Sequence, residues 1–448
     1  MSTSPADTAT SDAPAARPEG QASEATPARK RRVAIACQGG GSHTAFTAGA
    51  LARFMQPDVL EHYDVVALSG TSGGAICASI VWTALIERRP EDAAAMLRQF
   101  WEANSARSWT EQTLNSMILW GSRVAEAVSV PAVNPYTNPG SILATNQLRR
   151  LVDQTVDLEA AQQRALEMLN PPELHLGAVE AVRGRFKTFS SDRGEISTDA
   201  ILASAAIPTL FRSVKINGGV YWDGLFSQNP PVNILQDCEP DELWVIQINP
   251  SSVDKEPTSV GDIATRRNEL AGNLSLYQEL GFMERMSAWL ADGKIRSDSV
   301  HPITIRILEM NRTSSSHEWG YTSKLNRDPQ FIEELLELGQ AQAHRMVHAI
   351  NFERAWDDDD LAPLLHRFHP ATKVSSTHPL APLDPTKDPK KIATFFEEFR
   401  LRVEPSRKRV FENSVRWTVQ SVNDARIRAR VMATFEDGHV TQFRVTEA

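Results

Sequence analysis

Three short stretches of this chain combine residue types and spacings that could do chemistry. Gly70-Thr71-Ser72-Gly73-Gly74 fits the pattern G-x-S-x-G, which occurs once. The buried-strand run Val65-Val66-Ala67-Leu68 ends just before it, and a helical run from Gly74 to Arg88 follows it directly. A serine on a tight strand-to-helix turn is an exposed nucleophile. The flanking Gly70, Gly73 and Gly74 relieve crowding in the turn, and the helix N-terminus offers free backbone N–H groups beside a developing oxyanion. The second stretch, Gly39-Gly40-Gly41, follows the strand run Arg32-Val33-Ala34-Ile35-Ala36-Cys37. Three glycines let backbone N–H groups converge on one point without side-chain obstruction. For acyl transfer that point is the carbonyl oxygen of the tetrahedral intermediate. The competing reading is a phosphate cradle. However, a dinucleotide fingerprint needs a glycine where Thr44 stands, and no Gly-Lys-Ser/Thr follows as a P-loop requires.

A serine nucleophile needs a base. Of the histidines after Ser72, none stands out by local context. His344 and His348 lie four apart on a helix face, like a metal-binding pair, but Arg345 stands where the metalloprotease pattern needs Glu. Asp223 is different: the strand-like run Gly219-Val220-Tyr221-Trp222 leads into Asp223-Gly224. An aspartate within reach of a serine can orient it and accept its proton without histidine. The same Asp-Gly also reads as a plain hairpin turn, and local evidence leaves both readings open.

The elements that would position these residues alternate as strand, loop, helix, strand, turn, helix from residue 32 to residue 88. That order implies a parallel sheet with helical crossovers. Residues 91–170 read as mostly helical. They contain an apolar cluster, Leu114, Met117, Ile118, Leu119 and Trp120, that packs on the sheet or else covers a site or touches lipid. A hairpin is expected around Arg183-Gly184, a strand at Leu243–Ile248 and another at Ile303–Ile307. Helices are expected over 258–290 and 329–356.

Beyond residue 350 the pattern changes to a Pro-rich loop, a helix from Lys390 to Val403, and three strand-like runs: Lys408–Ser421, Ala425–Phe435 and Val440–Thr446. In the middle run Arg426, Arg428 and Arg430 alternate with Ile427, Ala429 and Val431, the mark of a half-exposed antiparallel meander. This stretch reads as a second, small α+β domain. No internal repeat is expected.

Composition narrows the class. The chain has 448 residues, enough for two or three domains at roughly 150 residues each. Hydrophobic residues make up 41%, ordinary for a globular core. A formal net charge of -9 argues against wholesale attraction to nucleic acid, and the basic run Arg29-Lys30-Arg31-Arg32 reads as a solubilising arm. Three cysteines, Cys37, Cys77 and Cys238, are too few for a disulfide framework and lack zinc spacing, which fits a reducing compartment. No apolar run is long enough to span a membrane, and the Ala/Pro/Ser/Thr-rich residues 1–31 read as a disordered tail without secretory character. The expected location is cytoplasmic, with peripheral contact to a lipid surface. Neither metal nor cofactor is expected.

Taken together, Gly39-Gly40-Gly41, Gly70-Thr71-Ser72-Gly73-Gly74, Ala203-Ser204-Ala205-Ala206-Ile207-Pro208 and Asp223-Gly224 resemble the motifs of the patatin-like phospholipases, in that family's order, over roughly residues 32–350. The resemblance implies a three-layer α/β/α fold with a central, mostly parallel sheet over residues 32–349. It also implies a Ser-Asp dyad with Ser72 as nucleophile and Asp223 as base, an oxyanion hole from Gly39, Gly40 and Gly41, and lipid acyl esters as substrates without a cofactor. One departure is visible: the family loop often carries Arg or Lys shortly after the triple glycine, whereas here Ser42-His43-Thr44 follow, so His43 becomes an expected substrate contact. Residues 350–448 resemble the SnoaL-like branch of the nuclear-transport-factor-like α+β cones. Such cones often carry a pocket or mediate dimerisation, so a homodimer through this segment is an expectation. Asp357-Asp358-Asp359-Asp360 near its start reads as a solvated helix start rather than a metal site. Two rival functions stay open: an esterase or thioesterase acting on short-chain or polyester substrates, and a catalytically quiet lipid-binding scaffold.

Overall fold

A computed structural model describes residues 29–448, apart from residues 109–110, 114, 117–133, 209, 254, 298–299, 312–319, 321, 358–364, 380, 411–413, 422, 425, 437 and 448. All five residues of the expected apolar cluster at 114–120, most of the aspartate run at 357–360 and nearly all of the N-terminal tail therefore lie outside the described residues. The first part of the chain runs β1 (Arg31–Cys37), α1 (Ala45–Phe54), α2 (Pro57–Leu60), β2 (Tyr63–Gly70), α3 (Gly73–Ile86), α4 (Ala93–Asn104), α5 (Pro139–Thr155) and α6 (Leu158–Glu167). It continues through β3 (Glu173–Glu180), β4 (Arg185–Ser190), α7 (Thr198–Ser204), β5 (Val214–Ile216), β6 (Gly219–Asp223), β7 (Glu242–Gln247), α8 (Val260–Ala291), β8 (Thr304–Glu309) and α9 (Pro329–Asp357).

These strands form one sheet in the order β5-β6-β3-β2-β1-β7-β8, with β4 paired to β3. The pairs β3-β2, β2-β1, β1-β7 and β7-β8 are parallel, and the β4, β5 and β6 additions are antiparallel. Parallel strands need both faces covered, and β1 shows how its sequence meets that need. Val33, Ile35 and Cys37 join the core shared with α1, α3 and α9, whereas Ala34 and Ala36 join Leu276, Leu280 and Met283 of α8. Helices thus lie on both faces. A buried ion-pair cluster, in which Arg306 of β8 bonds Glu242 of β7 and Glu353 of α9, ties that edge of the sheet to the helix layer. No helix among the described residues is long and apolar enough to cross a membrane.

The rest of the chain comprises β9 (Phe368–Ser376), β10 (Leu383–Thr386), α10 (Pro389–Arg402), β11 (Val403–Val410), β12 (Ser414–Ser421), β13 (Arg428–Glu436) and β14 (His439–Glu447). They form a separate six-stranded sheet in the order β10-β9-β14-β13-β12-β11. Two expectations are corrected here. The run Lys408–Ser421 is not one strand but parts of β11 and β12, paired antiparallel. The Pro-rich stretch is not merely a loop, because it carries β9 and β10. Pro370 falls where the β9 register slips against β14, and Pro385 lies on β10, an edge strand, the two places a sheet tolerates the missing N–H. In β13 the expected alternation holds from Arg428 to Val431, with both arginines exposed and Ala429 and Val431 buried, but Ile427, expected on the buried face, precedes the strand and is exposed. α9 runs through residue 350, and its last turns place Phe352 and Trp356 among Phe396, Phe399, Phe435 and Phe443.

Candidate functional site

The register of the sheet brings the three sequence motifs together. Cys37 at the end of β1 pairs with Gly70 at the end of β2, so the glycine loop and the serine turn leave the sheet side by side at the C-terminal ends of parallel strands. Ligands of open α/β sheets collect at such ends. Gly70 in turn pairs with Leu176, and β3 continues past it to Ala178, opposite Asp223 on the antiparallel β6. Asp223 therefore stands level with the residues that follow Gly70.

Ser72 caps α3 with φ 56 and ψ -129, a left-handed conformation that non-glycine residues rarely adopt. Its N–H donates to Ser204 Oγ at 3.0 Å, and the Ser204 hydroxyl donates to Gly177 O at 2.7 Å. Ser204, at the end of α7, thus holds the strained turn against β3. The flanking glycines permit close packing. An added Cβ would meet Gly74 O at 2.5 Å from Gly70, Thr44 Oγ1 at 2.0 Å from Gly73, Cys37 O at 2.3 Å from Gly74 and Gly177 O at 2.6 Å from Gly224.

Asp223 is almost fully buried, with 1% exposure. Its Oδ1 accepts from Leu225 N–H at 2.8 Å. Its Oδ2 is buried and has no partner at normal hydrogen-bonding geometry among the described residues. Burial pushes its pKa up to about 7, against opposing pulls from the Leu225 N–H and the nearby Ser72 hydroxyl.

The glycine loop departs from expectation in one respect. A Cβ on Gly39 would come within 2.9 Å of Ser72 Cβ, so the loop does lie against the serine. Yet Gly39 N–H donates to Asn229 Oδ1 at 2.7 Å. The Gly39 proton, expected to serve an oxyanion, is thus engaged by Asn229 in this structure. Gly40 and Gly41 carry the loop onward, with Gly41 at φ 57 and packed against the Lys324 carbonyl.

Gln38 fixes the base of the loop. Its Oε1 accepts from Ile248 and Asn249 N–H at 2.8 Å each, and its Nε2 donates to Asn273 Oδ1 at 2.8 Å. The segment holding Asn229 is clamped in turn by Glu279 of α8, which accepts from Gln228 Nε2 and from Val232 and Asn233 N–H.

His43, the expected substrate contact, has a fully buried ring whose Nε2 lies 2.8 Å from Ser323 Oγ and which packs edge-on against Phe331. A cation does pack against the loop, but it comes from a distant segment: Lys324, whose Cβ approaches Gly41 and whose Nζ donates to Asn249 Oδ1 at 2.7 Å.

The motifs gave no sign of Asn229, Glu279 or Lys324. The one local signal was that Asn229-Pro230 closely follows Asp223-Gly224.

Comparison with known proteins bears on this geometry. Residues 35–235 match the family model of the patatin-like phospholipases. The matched span is less than half of the chain, and it holds the glycine loop, Ser72, Ser204, Asp223 and Asn229. The match supports a lipid acyl hydrolase in general terms. No curated protein matches the chain. Among solved structures, VipD from Legionella pneumophila aligns over 76% of this chain and 79% of its own, at 12% identity and a TM-score of 0.33. An NTF2-like protein of unknown function from Burkholderia pseudomallei aligns over 23% of this chain and 90% of its own, at 14% identity and a TM-score of 0.20. A steroid delta-isomerase from Pseudomonas aeruginosa aligns over 24% and 78%, at 16% identity and a TM-score of 0.20. Likenesses this distant carry no argument about the present chain.

Proposed function

We propose that this chain hydrolyses carboxylic esters of lipids through a Ser72-Asp223 dyad. The observation that carries the reading is the pairing of a serine at positive φ with a buried carboxyl that has one oxygen uncommitted, beside a glycine loop. In this mechanism Ser72 Oγ attacks the ester carbonyl carbon while its proton passes to Asp223 Oδ2. The oxyanion that forms is met by the N–H groups of Gly40 and Gly41, with Gly39 held as their anchor. Collapse breaks the ester bond, and the Asp223 proton goes to the departing alkoxide. Water then gives its proton to Asp223 and attacks the acyl-serine, releasing the fatty acid and restoring the Ser72 hydroxyl. The division of the chain into a tail (1–31), a hydrolase unit (32–349) and a C-terminal α+β unit (350–448) is part of the same proposal. It is supported by two sheets that share no strand.

A fluorophosphonate probe is the direct test. Peptide mapping is expected to find the label on Ser72, and labelling of another serine, or none, overturns the mechanism.

Asn229 provides a second test. Asn229→Ala leaves the Gly39 N–H buried without its acceptor and frees the loop. Loss of such a partner costs about 1–3 kcal/mol. Turnover is expected to fall roughly tenfold to a hundredfold with little change in KM. A fall confined to KM would mean that Asn229 serves substrate binding instead.

A further inference from the structure

A second cluster of chemistry-bearing side chains lies on β3, toward the opposite end of the strand from the serine turn. We propose that Glu173, His175 and Cys238 form a binding site for a zinc-type divalent cation. The site fastens the end of the Asp223-bearing segment to β3, and the proposal stands whether or not the Ser-Asp reading is right.

The ligand atoms already have the spacing of a coordination sphere. His175 Nε2 lies 3.2 Å from Glu173 Oε2 and 3.9 Å from Cys238 Sγ. All three ligand atoms fall within 4.8 Å of one another. Tetrahedral zinc with ordinary bond lengths to N, O and S separates such pairs by about 3.4 Å (N to O) and about 3.5 Å (N to S). The two His175 pairs would need shifts of only a few tenths of an ångström, and the Glu173–Cys238 pair, within 4.8 Å, would close to about 3.6 Å.

Hydrogen bonding fixes which nitrogen of His175 is available. Its Nδ1 lies 3.0 Å from Ser190 Oγ, and the Ser190 hydroxyl donates its single proton to the Asp192 carboxylate. Ser190 Oγ must then accept from His175 Nδ1–H, which leaves Nε2 with a lone pair aimed at the carboxylate and the sulfur. In the resting chain the Cys238 S–H can bridge these atoms, and a cation would take the place of that proton. A metal-ligating histidine characteristically has its other ring N–H held in this manner.

The surroundings supply the rest. His175 is 1% exposed and Cys238 7%, while the Glu173 side chain is about one-third exposed and so opens a path for entry. Ser69, the register partner of His175 on β2, has a fully buried hydroxyl with no partner among the described residues. It can hold a water in the fourth position. The backbone at Cys238 is fixed independently, because Arg32 donates to the carbonyls of Cys238 and Glu239. Cation binding would displace the thiol proton of Cys238. The mixed N, S and O donor set favours zinc over calcium or magnesium, which prefer oxygen alone.

The test uses the full chain without a polyhistidine tag, dialysed against a chelator and titrated with Co²⁺ and then Zn²⁺. The expected result is one Co²⁺ per chain with a thiolate-to-cobalt charge-transfer band, displaced by Zn²⁺ together with a rise in Tm. The band should vanish in Cys238→Ser and persist in Cys77→Ser, whose thiol is buried elsewhere. Asp192 is exposed, so Asp192→Ala is expected to fold and to bind Co²⁺ roughly ten- to a hundredfold more weakly by releasing the Ser190–His175 relay. That variant keeps the proposal testable should Cys238→Ser fail to fold. No thiolate band in the wild type, or a band that survives Cys238→Ser, or affinity unchanged in Asp192→Ala overturns the site and leaves a plain polar contact of Glu173, His175 and Cys238.

Discussion

Ser72→Ala is expected to lower hydrolysis of p-nitrophenyl esters and phospholipid vesicles by about 10⁴-fold or more, as loss of the nucleophile does in other serine hydrolases. The size of the effect follows from what surrounds Ser72. Two neighbouring hydroxyls are already committed: Thr71 Oγ1 donates to Gln228 O at 2.8 Å, and Ser204 is bound on both sides, to Ser72 N–H and Gly177 O. Neither can stand in as nucleophile without releasing a buried backbone partner. Stability should barely change. Alanine tolerates φ 56 no worse than serine does, and the hydroxyl makes no hydrogen bond of normal geometry in the resting site. The expected signature is turnover near background with Tm within about 2 °C of wild type. A variant that kept turnover within tenfold of wild type would sink the assignment of Ser72.

The serine turn was legible because its signals are contiguous. A buried strand, a crowded turn with glycines on both sides and an apolar helix occupy residues 63–86, and each limits the others. The parallel sheet was legible for a similar reason: strand and helix periodicities alternate along the chain. What escaped the sequence depends on partners far apart in it. Gly39 read as an oxyanion donor because nothing near it competes for its N–H, while its acceptor, Asn229, lies 190 residues away. His43 read as a contact for substrate because it follows the loop, but its ring turns inward to Ser323, 280 residues on. Cys238 and His175 are 63 residues apart, and spacing rules for zinc assume ligands close in sequence. β9 and β10 were hidden by prolines that a bulge and an edge strand accommodate. In each case a local rule was overruled by a tertiary contact. Asp223 is the intermediate case: its two readings, turn residue and base, share one local pattern, and its burial and pKa speak for the second.

Those two readings diverge most at Asp223→Asn. As the proposed base, Asp223 must be ionised to accept the Ser72 proton. Wild-type kcat/KM should therefore rise with pH and level off above about 7, where the buried carboxyl loses its proton. An amide cannot accept that proton at any pH, so turnover should fall by about 10³-fold or more across the whole range. Stability should move the other way. In the folded chain the carboxyl titrates at about 7, and in the unfolded chain at about 4. Between those values the native state holds a proton that the unfolded state has released, so the stability this group contributes is full below about pH 4 and is lost as pH rises through about 7. A three-unit difference corresponds to at most about 4 kcal/mol. The amide of the variant has no such titration, and its oxygen still accepts from Leu225 N–H. The Tm of Asp223→Asn relative to wild type should accordingly increase from about pH 5 to about pH 8, by several degrees on the scale of about 2–4 °C per kcal/mol. A buried turn residue shares the pH-dependent difference in Tm, which follows from burial alone, but predicts near-normal turnover, and that outcome would remove Asp223 from the chemistry and leave it a turn residue. Loss of turnover with rising relative stability is the pattern of a site that keeps an ionisable group buried at a cost to the fold because the reaction needs it there.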